Sequence, residues 1–184
     1  MYADIKHLEL LKFKGCEDCV ECCKKPMAPL ILDDFEKVYE HFPILIAKLD
    51  AFKPVMLLSN DTSCPYLQEG KCSIYEKRPP ACKIYPFSPW YDSILLDLSC
   101  KGIGIKGETL PLTKKEFYNS KFFDERIENI TEKIKKTSVW LQKEELIPFK
   151  IHKGIELFKL APKNNKYNIL HQLSLKHLNK YYIK

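Results

Sequence analysis

The eight cysteines are the residues best able to do chemistry, and all of them lie between Cys16 and Cys100 of the 184-residue chain. Cys16, Cys19, Cys22 and Cys23 form the pattern Cys-x-x-Cys-x-x-Cys-Cys. Gaps of two residues let a tightly turning backbone aim three sulfurs at one point. The same spacing supplies three corners of a cubane iron-sulfur cluster, and its Cys-x-x-Cys unit is half of a common zinc site. The motif therefore predicts thiolate ligation of an iron-sulfur cluster or of zinc.

The adjacent pair Cys22 and Cys23 bears on the kind of centre. In a helical segment Cys16, Cys19 and Cys23 would share one face, and Cys22 would be turned by about 100° from Cys23. Two neighbouring thiolates would then not readily bind one small ion. Either one of the pair reaches a second metal, or the centre is a cluster with more than one iron, which favours a 4Fe-4S cluster over a single zinc ion.

The later cysteines predict a second set of ligands in loops that are rich in proline. This set consists of Cys64, Cys72, Cys82 and Cys100. Prolines restrict loop conformation and so lower the entropy that is lost when separated thiolates gather around a metal. Cations close in sequence lower the pKa of thiols toward the ligating form. The basic residues within four positions of a cysteine include Lys14, Lys24, Lys25, Arg78, Lys83 and Lys101.

Disulfides and reduced, buried cysteines are the two alternatives to metal ligation. The charged first residues lack the apolar core of a secretory signal, and no apolar run approaches the ~20 residues of a spanning helix. We therefore expect a cytoplasmic protein, in which thiols serve more often as metal ligands than in structural disulfides.

Charge divides the chain into two parts. Residues 1–100 carry 12 basic and 15 acidic residues, net −3, and residues 101–184 carry 18 and 9, net +9, which together give the overall +6. All the cysteines precede this basic part. We predict a cysteine-cluster metal-binding domain at residues 1–112 and a lysine-rich helical extension at residues 113–184 that packs on it.

Local patterns predict an α+β fold that is mostly helical, with few short strands and an irregular, proline-rich lobe organised by metal. We expect one helix or two short ones over residues 32–42, and strands or buried connectors at 55–58 and 94–98. Thr113 and Glu116 match a capping box that starts a helix. Amphipathic spacing predicts a long helix over 122–146 and another over 169–183.

Other motifs point to no additional chemistry. Gly102, Gly104 and Gly107 match G-x-G-x-x-G, but the next helical signal begins only at Thr113, so we expect a glycine turn near Cys100 rather than a dinucleotide site. The histidines stand apart from the cysteines, and no catalytic residue is identifiable. The basic C-terminal helices could bind a protein partner, whereas a nucleic-acid partner is not expected.

The cysteine motifs together with their neighbours resemble the CxxCxxCC cysteine-cluster family. The resemblance covers residues 13–107 and includes Cys64-Pro-Tyr-Leu, Gly70-Lys-Cys72, Arg78-Pro-x-x-Cys82 and Cys100-x-Gly-x-Gly. That family is described as a zinc- or iron-chelating domain, is often labelled an iron-sulfur oxidoreductase, and includes flagellin lysine methylases. The resemblance implies that all eight cysteines are metal ligands.

Two functions follow from these patterns. The first is a cysteine-ligated iron-sulfur or zinc centre in electron transfer, or in support of a redox or methyl-transfer reaction. The second is a non-enzymatic zinc module, in which the metal supplies folding energy and the basic helices bind a partner.

Overall fold

The structure is a computed structural model that describes residues 1–15, 20–49, 52–59, 63–90 and 93–182. The chain forms two compact units, each built from two stretches of sequence. The first unit comprises Met1–Cys22 and Leu67–Thr131, and the second comprises Cys23–Tyr66 and Glu132–Lys184. The boundary predicted near residue 112 lies inside the first unit.

Short strands and helices alternate along the chain. The strands are β1 (Tyr2–Asp4), β2 (Lys12–Phe13), β3 (Met27–Pro29), β4 (Ile44–Lys48), β5 (Phe52–Leu57), β6 (Leu67–Gln68), β7 (Lys71–Cys72), β8 (Phe87–Trp90), β9 (Ser93–Asp97), β10 (Ile103–Gly104), β11 (Glu108–Thr109), β12 (Leu146–His152) and β13 (Ile155–Leu160). The α-helices are α1 (Phe35–Val38), α2 (Pro80–Ile84), α3 (Lys114–Tyr118), α4 (Ile130–Leu141) and α5 (Lys166–Ser174). Shorter 3₁₀-helices lie at Ile5–His7, Glu21–Lys24, Leu32–Asp34, Tyr75–Lys77 and Leu175–Tyr181.

The first unit is organised around small antiparallel sheets. Strand β9 lies between β1 and β8, and β2 lies between β10 and β11. Strands β6 and β7 form a separate hairpin. The core of this unit contains Ile5, Ile84, Phe87, Ile94, Leu96, Leu110, Phe117 and Ile127. The sheets and α3 thus surround one apolar core, which fixes the positions of the turns that leave the strands.

The second unit contains a five-stranded antiparallel sheet with the strand order β12-β13-β4-β5-β3. In β4 the side chains of Ile44, Leu45, Ile46 and Ala47 are all fully buried. Successive side chains of a strand point to opposite faces, so both faces of this central strand are covered. A continuous apolar run is the expected sequence for such a strand.

Helix α5 joins the sheet of the second unit through polar side chains. The Asn168 amide donates to the Ala161 carbonyl at 2.8 Å, and the Gln172 amide donates to the Leu160 carbonyl at 2.9 Å. The Ser174 hydroxyl accepts from the Ile44 backbone N–H at 3.0 Å. These bonds satisfy backbone groups at the ends of β13 and β4, where an apolar helix face would leave them without partners.

The expectation of a mostly helical fold is wrong. About 32% of the described residues lie in helices and about 28% lie in strands, arranged in several antiparallel sheets. The proline-rich lobe also contains regular elements, namely the β6–β7 hairpin and helix α2. The fold is α+β, but with a much larger share of sheet than the local patterns predicted.

The longest strands that the local patterns missed lie in the basic part of the chain. The helix predicted over residues 122–146 is confined to α4, and an antiparallel hairpin of β12 and β13 follows it. Lys153 and Gly154 both have positive φ angles, +50° and +79°, which is the signature of a tight hairpin turn. Alternating apolar and polar residues on both sides of Gly154 are the sequence signal for this hairpin.

Several local predictions are confirmed. The Thr113 hydroxyl accepts from the Glu116 N–H at 3.1 Å and caps α3. Residues 55–57 belong to β5, and residues 94–97 belong to β9. The segment predicted as one helix or two is a 3₁₀-helix followed by α1, and it ends before Pro43.

Candidate metal centre

Six of the eight predicted ligands fall within the described residues, where they carry thiols: Cys22, Cys23, Cys64, Cys72, Cys82 and Cys100. Cys16 and Cys19 lie outside the described residues. The Cys64 and Cys100 side chains are buried, and the other four are half-buried. Cys22, Cys72, Cys82 and Cys100 belong to the first unit, and Cys23 and Cys64 belong to the second.

Cys100 lies in a turn that follows β9 and is fixed by hydrogen bonds on both sides. Its N–H donates to the Asp97 carbonyl at 3.1 Å, and its carbonyl accepts from the Ile103 N–H at 3.0 Å. We call residues 97–103 the Cys100 turn. Since both backbone groups of Cys100 are hydrogen-bonded, the backbone position from which its buried side chain extends is fixed.

The Cys100 turn contacts the chain on both sides of the Cys16–Cys19 segment. On one side, the Lys14 N–H donates to the Gly102 carbonyl at 3.0 Å. On the other side, the Lys101 ammonium lies 3.7 Å from the Glu21 carboxylate. Lys101 is exposed, so this ion pair contributes little stability, but it places residue 101 next to the residue that precedes Cys22.

Gly102 allows the close approach of the turn to the strand that leads into the first motif. A Cβ atom at this position would lie 2.5 Å from the Phe13 ring and 2.6 Å from the Gly15 carbonyl oxygen. Strand β11, rather than a helix, follows Gly107. The glycines therefore serve close backbone packing, and the structural context of a dinucleotide fingerprint is absent from these residues.

A buried polar cluster adjoins Cys100. The Asp97 side chain is fully buried, and its Oδ1 accepts from the Ser99 N–H at 3.0 Å and from the Ser99 hydroxyl at 2.7 Å. Burial and the negative charge of Asp97 raise the pKa of Tyr2. The pKa of Tyr85 is raised by burial first, then by Asp97, with a smaller contribution from Cys100. Both phenols therefore stay protonated at neutral pH.

Sequence reasoning missed this cluster. The pattern Asp97-Leu98-Ser99-Cys100 was a usable signal, because an aspartate two residues before a serine often forms a local side-chain turn. Only the pairing of β1 with β9 places Tyr2 next to Asp97, and that pairing joins distant parts of the chain.

Cys72 and Cys82 are positioned by short regular elements in the first unit. Cys72 ends the hairpin strand β7, where it is opposite Leu67. Cys82 lies in α2, which begins with Pro80, and its N–H donates to the Pro79 carbonyl at 2.9 Å. Proline in the first turn of a helix is favourable because its ring fixes φ and the missing N–H is not needed there.

The aromatic residues near these cysteines do not all cover them. Tyr75 is 53% exposed, and the Arg78 guanidinium lies 3.6 Å from the centre of its ring. Phe87 is buried in the apolar core of the first unit. Arg78 thus stacks on Tyr75 and also donates from Nε to the Tyr75 carbonyl at 2.9 Å.

In the second unit, Cys23 and Cys64 are neighbours through the backbone. The Cys64 N–H donates to the Cys23 carbonyl at 2.6 Å. Cys23 precedes β3 and Cys64 follows β5, and these two strands pair in antiparallel fashion with Met27 opposite Leu57. The last cysteine of the first motif is therefore adjacent to the first cysteine of the later set, although 40 residues separate them in sequence.

The chemistry of these donors fits zinc or iron, because soft thiolate ligands select zinc, iron-sulfur clusters and Cu(I). Within the described part of the chain, no group of three or more His, Cys, Asp or Glu side chains is placed to hold an ion. Two of the three regularly spaced cysteines, Cys16 and Cys19, lie outside that part. The described residues thus supply the later ligands and the contacts on both sides of the Cys16–Cys19 segment.

The remaining features are away from the cysteines. His171, a residue of α5, is fully buried, and burial lowers its pKa to about 4. In the ranges that the structure describes, no helix has the length and apolar character needed to cross a membrane.

Comparison with known families agrees with the cysteine pattern. The CxxCxxCC family model, described as a "putative zinc- or iron-chelating domain", matches residues 15–121. No curated protein and no solved structure matches the chain. The family match spans more than half of the chain and includes all eight cysteines, and the protein therefore belongs to the CxxCxxCC family of zinc- or iron-chelating domains.

Proposed function

We propose that this chain binds an iron-sulfur cluster, or alternatively zinc, through its eight cysteines. The proposed ligands are Cys16, Cys19, Cys22, Cys23, Cys64, Cys72, Cys82 and Cys100. The observation that carries the proposal is the contact of the Cys100 turn with both sides of the Cys16–Cys19 segment, at Lys14 and at Glu21. Cysteines that are far apart in sequence thereby become neighbours of one segment.

The backbone contact between Cys23 and Cys64 supports the same proposal in the second unit. A structural role for buried reduced cysteines would not require two such links between the first motif and the later cysteines. Gathering ligands from distant segments costs conformational entropy, and metal binding offsets that cost. The family match to a zinc- or iron-chelating domain supports zinc or iron as the bound metal.

We favour an iron-sulfur cluster over a single zinc ion because of the adjacent cysteines. Cys22 and Cys23 lie in a 3₁₀-helix, in which successive side chains are rotated by about 120°. Their thiols therefore diverge from one another, and compact tetrahedral ligation of one ion by both is unfavourable. Divergent thiols suit a centre with several irons or two separate centres.

An iron-sulfur cluster, once bound, would supply one-electron chemistry, so we propose a role in electron transfer or in support of a redox or methyl-transfer reaction. The second candidate is a non-enzymatic zinc module, and the family description favours zinc and iron equally. In that case the metal would supply folding energy. A protein partner for the basic C-terminal helices stays a prediction of the sequence.

The proposal is tested by purifying the full chain without oxygen or chelator and measuring iron, zinc and acid-labile sulfide per chain. We expect iron and sulfide in similar amounts, with a visible absorption band that bleaches on reduction. A colourless protein with stoichiometric zinc would favour the structural module. A folded protein that carries neither metal would refute both functions.

A further inference from the structure

The fully buried carboxylate of Asp97 is the least expected feature next to the candidate ligands. Asp97 is 0% exposed, and carboxylates are almost never fully buried unless they are paired. Removing a charge from water is costly, so a carboxylate in this position needs compensation. The groups that surround the Asp97 carboxylate therefore indicate what it does.

Asp97 holds the turn that carries Cys100 through its side chain and its backbone. The carboxylate Oδ1 accepts from both the N–H and the hydroxyl of Ser99, at 3.0 Å and 2.7 Å. The backbone carbonyl of Asp97 accepts from the Cys100 N–H at 3.1 Å. The orientation of Cys100 is therefore tied to the position of Asp97.

The N-terminal residue and two tyrosines also lie around the carboxylate. The Met1 ammonium lies 3.8 Å from Oδ1 of Asp97, and burial together with the negative charge of Asp97 raises the pKa of Tyr2 and of Tyr85. The Asp97 N–H also donates to the Pro86 carbonyl at 3.0 Å, which fixes the backbone to the segment after Tyr85. The carboxylate is thus supported from three segments of the first unit.

The charge of Asp97 is informative because its neighbour is a thiol that the proposed function treats as a ligand. A carboxylate next to a thiolate is repulsive, and burial increases the repulsion. A neutral side chain would make the same turn without that cost. A metal cation held by Cys100 would convert the repulsion into attraction, which makes a carboxylate favourable at this position.

We propose that Asp97 is a positioning residue that orients Cys100 for metal ligation. The inference rests on the proposed function, since it requires that Cys100 binds a metal. Residues outside the ligand shell that orient the ligands typically change metal affinity by about 10- to 100-fold. Asp97 acts through Cys100 in this account and does not itself ligate the metal.

The test is a double-mutant cycle on the full-length protein with Co²⁺ as the probe, because sulfur-to-cobalt charge-transfer absorption reports thiolate ligation. We expect Asp97→Asn to weaken Co²⁺ binding by about 10- to 100-fold and to reduce the charge-transfer band to that of Cys100→Ser. In the Cys100→Ser background, Asp97→Asn should change neither the affinity nor the band. Such non-additivity is expected only if the two residues act as a unit.

Asp34 provides a matched control. It is also buried, at 2% exposed, and its Oδ2 accepts from the Ile31 N–H at 3.2 Å, but it belongs to the second unit and holds no cysteine turn. Asp34→Asn should leave the Co²⁺ affinity and the band unchanged. If Asp97→Asn does not fold, Ser99→Ala takes its place, because Ser99 is exposed and its hydroxyl donates the 2.7 Å hydrogen bond to Asp97. The Ser99→Ala change should weaken Co²⁺ binding several-fold, again only when Cys100 is present.

Two results would overturn the inference while leaving the proposed function intact. One is wild-type Co²⁺ binding in Asp97→Asn, or in Ser99→Ala where that variant replaces it. The other is an equal loss of affinity with and without Cys100, which would mean that Asp97 supports the fold generally. Failure of the wild-type chain to bind Co²⁺, zinc or iron would instead refute the proposed function, and the inference with it.

Discussion

At the scale of single residues, Gly102 is the residue at which the Cys100 turn comes closest to the strand that leads to Cys16. No larger side chain fits there, because the Gly15 carbonyl oxygen and the Phe13 ring occupy the space of a Cβ atom. A side-chain ring can shift to make room, but the Gly15 oxygen belongs to the backbone and cannot turn away without moving the chain. The packing around the proposed metal centre therefore depends on a residue that has no side chain to react or to bind metal.

We expect Gly102→Ala to destabilise the protein by about 1–3 kcal/mol, the usual cost of forcing an extra methyl group into a packed site. Gly104 is the matched control, because a Cβ atom there would have no neighbour within 4 Å. Urea unfolding checks the prediction, and metal content per chain should fall in the Gly102 variant alone. Equal stability of the two variants would show that the turn is not closely packed.

Individual residues also mark what the sequence could and could not predict about the site. The spacing of Cys16, Cys19, Cys22 and Cys23 is a local signal, and the family match confirms that it indicates a chelating domain. The role of Asp97 depends on Tyr2, which is its neighbour only after β1 pairs with β9. Such a contact has no local signature, so spacing alone could not reveal it.

At the scale of elements, α5 combines an amphipathic pattern with a buried histidine. The Nε2 atom of His171 accepts from the Leu160 N–H at 3.4 Å, which requires the neutral ring. Burial, and then the positive charge of Lys159, lower the pKa of His171 to about 4 from an ordinary value of 6.5. Protonation would remove the acceptor and place a charge in the interior of the second unit.

We therefore expect the second unit to lose stability as the pH falls from about 6.5 to about 4, because the unfolded chain takes up a proton that the folded chain resists. The lowered pKa corresponds to at most about 3 kcal/mol over this range, and the loss should level off below pH 4. The difference in free energy of unfolding between the wild type and His171→Gln, measured in urea across this range, isolates the effect from metal release. His7→Gln, at an exposed position, is the control and should parallel the wild type. Parallel curves for His171→Gln would refute the prediction.

The elements also explain the error in fold class. Helical spacing in the basic part of the chain correctly indicated α4 and α5, because each packs one face against a core. Strands β12 and β13 lie between them, in a stretch for which no element was predicted although its alternating pattern indicates strands. The short strands of the first unit are held by partners far away in sequence, such as β2 with β10 and β11, and a two-residue strand carries almost no periodicity.

At the scale of the whole molecule, the two compact units are interleaved in sequence. Each unit takes one stretch that ends before residue 67 and another that begins at or after it. Composition records where lysine and cysteine are abundant, but a unit is defined by contacts that form on folding. The proposed ligands belong to both units, with the boundary between Cys22 and Cys23.

The central claim is that cysteine sulfurs hold a metal, and X-ray absorption of the anaerobically purified protein at the iron and zinc edges tests it most directly. We predict a first shell dominated by sulfur, at about 2.3 Å if the metal is zinc. An iron-sulfur cluster would add a second shell of iron. A first shell made only of nitrogen or oxygen, or a folded protein without either metal, would contradict the account.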